Sequence, residues 1–203
     1  KILENPPAQP RVSEVVTPIT EPVYVSLIAE EGATIYYYLE TWDAISPQPS
    51  PTYMEYTSPI LVDRALDLML YCIKNGNSSA LANYYFGDIQ APGSPNILPE
   101  ETRQLPGTQV TITGAATGDI IYYTTDGSNP YNSPTRQAYS EDSNIQVSNG
   151  LEIRAIIQNS SGIYGCASYR YYEEGIPMPT VDFVFGVDEE GGHYKIEISI
   201  GAA

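Results

Sequence analysis

The sequence predicts an all-β protein, two tandem β-sandwich modules followed by a short strand pair, and three observations carry that expectation. The chain repeats itself with a period of about 85 residues. Its apolar residues alternate with polar ones in short runs dominated by Tyr, Val, Ile and Thr. Finally, 16 glycines and 17 prolines punctuate the 203 residues, which leaves little room for helices of ordinary length.

The repeat can be read directly. GATIYYYLE, from Gly32 to Glu40, aligns with GDIIYYTTD, from Gly118 to Asp126, at an offset of 86, so that Ile35 meets Ile121 and Tyr36 and Tyr37 meet Tyr122 and Tyr123. LDLMLYCIKN, from Leu66, corresponds to LEIRAIIQN, from Leu151, and SSALANYYF, ending at Phe86, to YGCASYRYY, ending at Tyr172. Nine of the 18 tyrosines fall in residues 1–87 and eight in 88–175, and each stretch carries ten acids and four bases, so surface and core are duplicated together. The expected organisation is a first sandwich module over 1–87, a second over 88–175, and a partial third module or C-terminal β-hairpin over 176–203. GDIQAPGSPN, from Gly87 to Asn96, is the expected linker. The Pro-rich start at Lys1 and the strand-like end suggest a mature or trimmed piece of something longer.

Strands follow from the alternation. Val110 and Ile112, then Ile121, Tyr123 and Thr125, have period two, and HYKIEISI, from His193 to Ile200, alternates cleanly, with a turn expected at Asp188 to Gly192. Residues 60–75, ILVDRALDLMLYCIKN, also suit an amphipathic helix. Their counterpart IQVSNGLEIRAIIQN carries a Ser-Asn-Gly turn at its centre, so both are expected to be two strands around a turn. About seven short strands per repeat is the pattern of an immunoglobulin-like or fibronectin-like sandwich. Leu66, Leu68, Leu70, Ile35 and Tyr37 should line the first core, and Leu151, Ile153, Ala155, Ile121 and Tyr123 the second.

Composition bounds the partners. A formal net charge of −16, with the acids scattered along the chain, argues against nucleic acid and anionic membranes. No apolar run reaches the roughly 20 residues of a membrane span, and no leader-like segment opens the chain. Cys72 and Cys166 fall in different modules and lack metal-ligand spacing, so both are expected to be buried free thiols.

IYYTTDGSNP, from Ile121 to Pro130, followed by LEIRAIIQNSSG and a Tyr-rich last strand, resembles the chitobiase/β-hexosaminidase C-terminal domain family, in which such a strand and turn is the hallmark. In the first module Leu39, Glu40, Thr41 and Trp42 stand where Thr, Asp, Gly and Ser are expected, although YTSPILV fits the following strand, and a longer loop from Thr41 to Pro51 is implied. The resemblance implies a small accessory β-sandwich of bacterial glycoside hydrolases and repetitive surface proteins, with no catalytic residues to carry over. The Asp126-Gly127 pair is read as structural, supplying the positive φ of a tight hairpin.

A search for chemistry finds little. The one histidine, His193, sits in the C-terminal strand pair and is read as solvent-facing, so a nucleophile-base triad is not expected. Carboxylates are many, but modules of this size leave no deep cleft for acid-base hydrolysis. The acidic turns at Asp126 and Asp188 lack the alternating oxygen ligands of a calcium loop, and nucleotide-binding glycine patterns are absent, so neither metal nor cofactor is expected. The binding alternative rests on aromatic rings: Trp42 with Tyr53 and Tyr56 in the first module, and Tyr131 in the equivalent loop of the second.

Three functions are therefore expected in descending order. The first is a non-catalytic spacer or adhesion module, extracellular, secreted or on a bacterial cell surface. The second is a carbohydrate-binding accessory region of a glycoside hydrolase, and the third a self-assembling subunit that accepts a strand from a neighbour. A polysaccharide or a cell-surface protein is the corresponding partner.

Overall fold

In the computed structural model the described residues are 5–41 and 52–175, with the backbone of 181–187 and 194–200. They form strands and connections, with no helix among them. The first repeat holds β1 (Arg11–Val12), β2 (Val23–Val25), β3 (Leu27–Ile28), β4 (Thr34–Thr41), β5 (Met54–Glu55), β6 (Ile60–Val62), β7 (Leu66–Lys74), β8 (Asn77–Ser78) and β9 (Ala82–Phe86). The second holds β10 (Asn96–Leu98), β11 (Arg103–Gln104), β12 (Gln109–Thr113), β13 (Ile120–Thr124), β14 (Gln137–Ala138), β15 (Ile145–Gln146), β16 (Leu151–Gln158) and β17 (Ser168–Glu174). The last two, β18 (Val181–Val187) and β19 (Tyr194–Ile200), pair antiparallel as a hairpin. Its turn at Asp188 to Gly192, and His193, lie outside the described residues.

Each repeat is a fibronectin-like sandwich. In the second, β10-β12-β15 form one sheet and β11-β17-β16-β13-β14 the other. The first has the same order: β5-β4-β7-β9 form the larger sheet, while β2 pairs with β6 and β3 with β1. Val23 to Ile28 thus plays the part of β12, broken at Ser26. Residues 60–75 are two strands, β6 and β7, as their counterpart implied. Alternation explains their burial: Leu66, Leu68, Leu70 and Cys72 face the core, and the residues between them face outward.

The expected core residues pack as two clusters, one per repeat. Ile35 is buried in the first and Tyr37 packs against it. Ile121, Tyr123, Ile153 and Ala155 are buried in the second, with Leu151 against them and the fully buried Tyr172 donating from its hydroxyl to the Pro99 carbonyl at 2.8 Å. Burial pushes the Tyr172 hydroxyl pKa up. Of the two thiols, Cys72 is buried and its Sγ contacts the Ala8 carbonyl oxygen at 3.3 Å. Cys166 is exposed, contrary to expectation, because the chain between Gly162 and β17 forms a loop and not a strand.

The Asp-Gly pair also departs from expectation. Gly127 has φ of +73°, as a left-handed position requires, but β13 pairs with β14 only after the twelve residues 125–136, so the connection is no tight hairpin. Asp126 instead opens a polar loop. Its Oδ1 accepts from the Ser128 backbone N–H at 3.0 Å and from the Ser128 hydroxyl, and its Oδ2 from the Thr135 hydroxyl at 2.7 Å. In the first repeat, where no such pair stands, β4 simply continues through Leu39, Glu40 and Thr41 against Leu68, Asp67 and Leu66.

Those bonds to the ionised carboxylate, first from Ser128 and then from Thr135, lower the Asp126 pKa to about 2. A lowered pKa means that the open loop binds more protons than the closed one. The contribution is present above the ordinary value of 3.8 and is lost as pH falls through about 2. An NMR titration of the Asp126 carboxyl should have its midpoint near 2, with the Ser128 amide losing exchange protection over the same window. A midpoint at 3.8 would contradict this network.

Candidate functional site: the inter-module joint and an aromatic sheet face

Two places concentrate polar and aromatic side chains, and the first is where the repeats meet. The β6–β7 connection of the first module is Asp63, Arg64 and Ala65; the aligned positions in the second are Ser148, Asn149 and Gly150. Asp63 is buried, and both of its carboxylate oxygens accept from the Tyr131 hydroxyl, at 3.1 and 3.0 Å. Its backbone carbonyl accepts from the Tyr164 N–H at 2.7 Å. The Arg64 guanidinium lies over the Tyr131 ring, 3.5 Å from its centroid, and Tyr164 meets Tyr131 edge to face at 5.0 Å.

Burial raises the Asp63 pKa against the opposing effects of the Tyr131 hydrogen bond and the Arg64 charge. Burial and then the Asp63 charge push the Tyr131 hydroxyl up to about 12. At neutral pH the tyrosine is therefore a donor, which is what the geometry requires.

Around this pair the second module reaches into the first. Ile163, on the loop after β16, is completely buried and belongs to the first core, with Ile19, Val25 and Leu66. The Asn159 side chain donates to the Gln90 carbonyl at 3.1 Å and organises its own loop by accepting from the Ser161 and Ile163 N–H groups. The expected linker is pinned as well. Asp88 and Gln90 exchange backbone hydrogen bonds with Ile19 at 2.8 and 2.9 Å, and Asn96 already begins β10. A cavity of about 50 Å³ remains beside the joint, lined in part by Arg64, Pro92, Tyr164 and Cys166.

The second place is the outer face of the larger sheet in the first module. With Ile35 and Tyr37 turned to the core, Tyr36 and Tyr38 turn outward, as do Asp67, Met69 and Tyr71 on β7. Tyr36 stands directly opposite Tyr71, their rings stacked at 5.5 Å. Tyr53 closes the group, 5.1 Å from Tyr71 and 6.1 Å from Tyr38. Farther along the same face Glu40 opposes Asp67, which on its other side opposes the exposed Tyr85.

Of the four ring residues expected as binding positions, the three described ones are thus dispersed. Tyr53 joins the outer aromatic face. Tyr56 turns the other way, edge to face with Tyr37 at 6.4 Å, against the core. Tyr131 is half-buried in the joint, and Trp42 lies outside the described residues. Sequence reasoning missed Asp63, Arg64, Ile163 and Tyr164. The trace was present in the mismatch of Asp63-Arg64 with Ser148-Asn149, a charged pair that the repeat lacks.

Among the described residues no group of three or more His, Cys, Asp or Glu side chains could hold a metal ion, and no helix is long and apolar enough to cross a membrane. A shallow groove of about 320 Å³ runs between β10 and β17, with Asn96, Glu100, Tyr169 and Arg170 on its walls.

The strand order and the two cores define a tandem of immunoglobulin/fibronectin-type β-sandwiches. Residues 99–165, within the second module, match the family model of the chitobiase/beta-hexosaminidase C-terminal domain, and the Ile121 to Pro130 motif lies inside that match. No curated protein matches the chain. Among solved structures it is similar to domains 7, 8 and 9 of the S-layer protein SbsC, at 12% identity and a TM-score of 0.29, covering 84% of this chain and 60% of that one. It is also similar to the FN1-FN3 domains of chicken CNTN1, at 9% identity and a TM-score of 0.27, covering 83% of this chain and 68% of that one. The chain therefore spans less than two thirds of the first of these structures.

Proposed function

We propose that the chain is a stiff, non-catalytic spacer and display segment of an extracellular or cell-surface protein, whose two sandwiches act as one body. The observation that carries this reading is Ile163, a second-module residue that completes the first module's core. Modules joined by a free linker retain independent cores, and relative motion is then the default. Here a shared apolar contact, a buried carboxylate held by a tyrosine from the other repeat, and an arginine stacked on that tyrosine all oppose hinge motion. Such a joint fixes the direction in which a module presents its surface. Polysaccharide binding stands behind this reading, because of the described ring positions expected for it, Tyr53, Tyr56 and Tyr131, only Tyr53 falls on the outward aromatic face.

Small-angle scattering tests the joint. The curve of the unmodified chain should fit a single conformation, and that of the combined Arg64→Ala, Tyr131→Ala variant should require an ensemble of inter-module angles. A need for such an ensemble in the unmodified chain would overturn the spacer reading.

A further inference from the structure

The two modules treat their outward tyrosines differently. In the second, each of three arginines covers a ring: Arg64, reaching across the joint, lies on Tyr131 at 3.5 Å, Arg136 on Tyr122 at 4.4 Å, and Arg154 on Tyr169 at 5.5 Å. A guanidinium so placed gains from the negative face of the ring. In the first module Tyr36, Tyr38, Tyr53 and Tyr71 form a contiguous group on the sheet face, and no described cation of the chain stands over them. The described bases of that repeat are placed elsewhere. Arg11 lies on β1 in the other sheet, Arg64 is in the joint, and Lys74 pairs with Glu30 at 3.1 Å.

The face carries negative charge beside its rings. Glu40 and Asp67 are directly opposite one another across β4 and β7, an arrangement of like charges that costs stability unless a cation lies between or above them. Glu55 is likewise opposite Tyr36. Outward faces of antiparallel sheets are ordinarily polar, so a group of rings flanked by carboxylates that no described base pairs with is an interaction surface in want of positive charge.

We propose that this face binds an arginine-bearing segment of another protein, the guanidinium groups stacking on Tyr36, Tyr38, Tyr53 and Tyr71 and pairing with Glu40 and Asp67. Charge complementarity selects this occupant. A second copy of the chain is disfavoured, since 25 acids against 9 bases make like copies repel. A neutral glycan would use the rings but leave the opposed carboxylates uncompensated. Arginine is favoured over lysine because its planar guanidinium both stacks and forms bidentate carboxylate bonds. The inference deepens the display reading and relies on it only for the face being held outward; scattering tests the joint, whereas binding tests the face.

The experiment is an NMR titration of the full chain with hexa-arginine, hexa-lysine and cellohexaose peptide and sugar probes. Hexa-arginine should shift amides of β4, β5 and β7 saturably and bind more tightly than hexa-lysine. Tyr71→Leu should weaken it about tenfold, the size expected of a lost cation–π contact, while Tyr71→Phe preserves it. Tyr24→Leu, at an exposed ring on the other sheet of the same module, should change nothing, and thermal unfolding of each variant confirms that it is folded. Hexa-arginine binding that ignores Tyr71→Leu would overturn the proposal as mere attraction to an acidic protein. So would shifts of the same amides by cellohexaose without hexa-arginine binding, which would make the face a glycan platform, and so would the absence of any binding.

Discussion

Ile163→Ala should destabilise the first module by about 2–5 kcal/mol, although the residue belongs to the second repeat. The side chain is completely buried in the first core, and truncation leaves a cavity that the other side chains of that core fill only in part. Hydrogen exchange of the β7 amides reports on the first core, since Leu66, Leu68, Leu70 and Cys72 on that strand belong to it. Exchange of those amides should quicken in the variant under mild denaturant. Unchanged exchange in β7, with a change confined to second-module amides, would mean that Ile163 supports only its own loop.

Tyr131→Phe should cost about 1–3 kcal/mol, the penalty for leaving a buried polar group without its hydrogen bond. The change keeps the ring, hence the Arg64 stack and the edge contact with Tyr164, and removes only the hydroxyl that both Asp63 oxygens share. The pH dependence follows from the raised Asp63 pKa. The folded protein then binds more protons than the unfolded one above 3.8, so this group's contribution declines as pH rises through the folded pKa. Without the tyrosine donor that pKa rises further, and the deficit of the variant should be largest at neutral pH and shrink on acidification. A deficit independent of pH from 3 to 7, roughly the range over which a raised carboxylate titrates, would show that the hydroxyl does not serve the carboxylate.

The fold was legible because its signals are local. Period-two alternation placed Leu66, Leu68 and Leu70 inward, and the repeat resolved residues 60–75 from helix to strand by comparison with Ser148, Asn149 and Gly150. Asp126-Gly127 was read correctly as a left-handed position and incorrectly as a tight hairpin. What that pair does depends on how far away β14 resumes pairing, which the dipeptide does not encode. The joint was largely illegible. Asp63 and Tyr131 lie 68 positions apart, and nothing in their immediate neighbours says that they meet. Alternation likewise tells which tyrosines leave the core but not what then meets them: Tyr122 meets Tyr164 and Arg136, whereas among the described residues the ring stacked on Tyr36 is Tyr71. The exposed Cys166 belongs to the same class of error, since the loop that carries it is shaped by contact with the first module.

The spacer reading stands on the two sandwiches moving as one body, and residual dipolar couplings of backbone amides test that most directly. Couplings from residues 11–41 and 52–86 and from residues 96–174 should fit one common alignment tensor. Two tensors of different magnitude, one for each repeat, would contradict it and return the chain to a pair of independently tumbling modules.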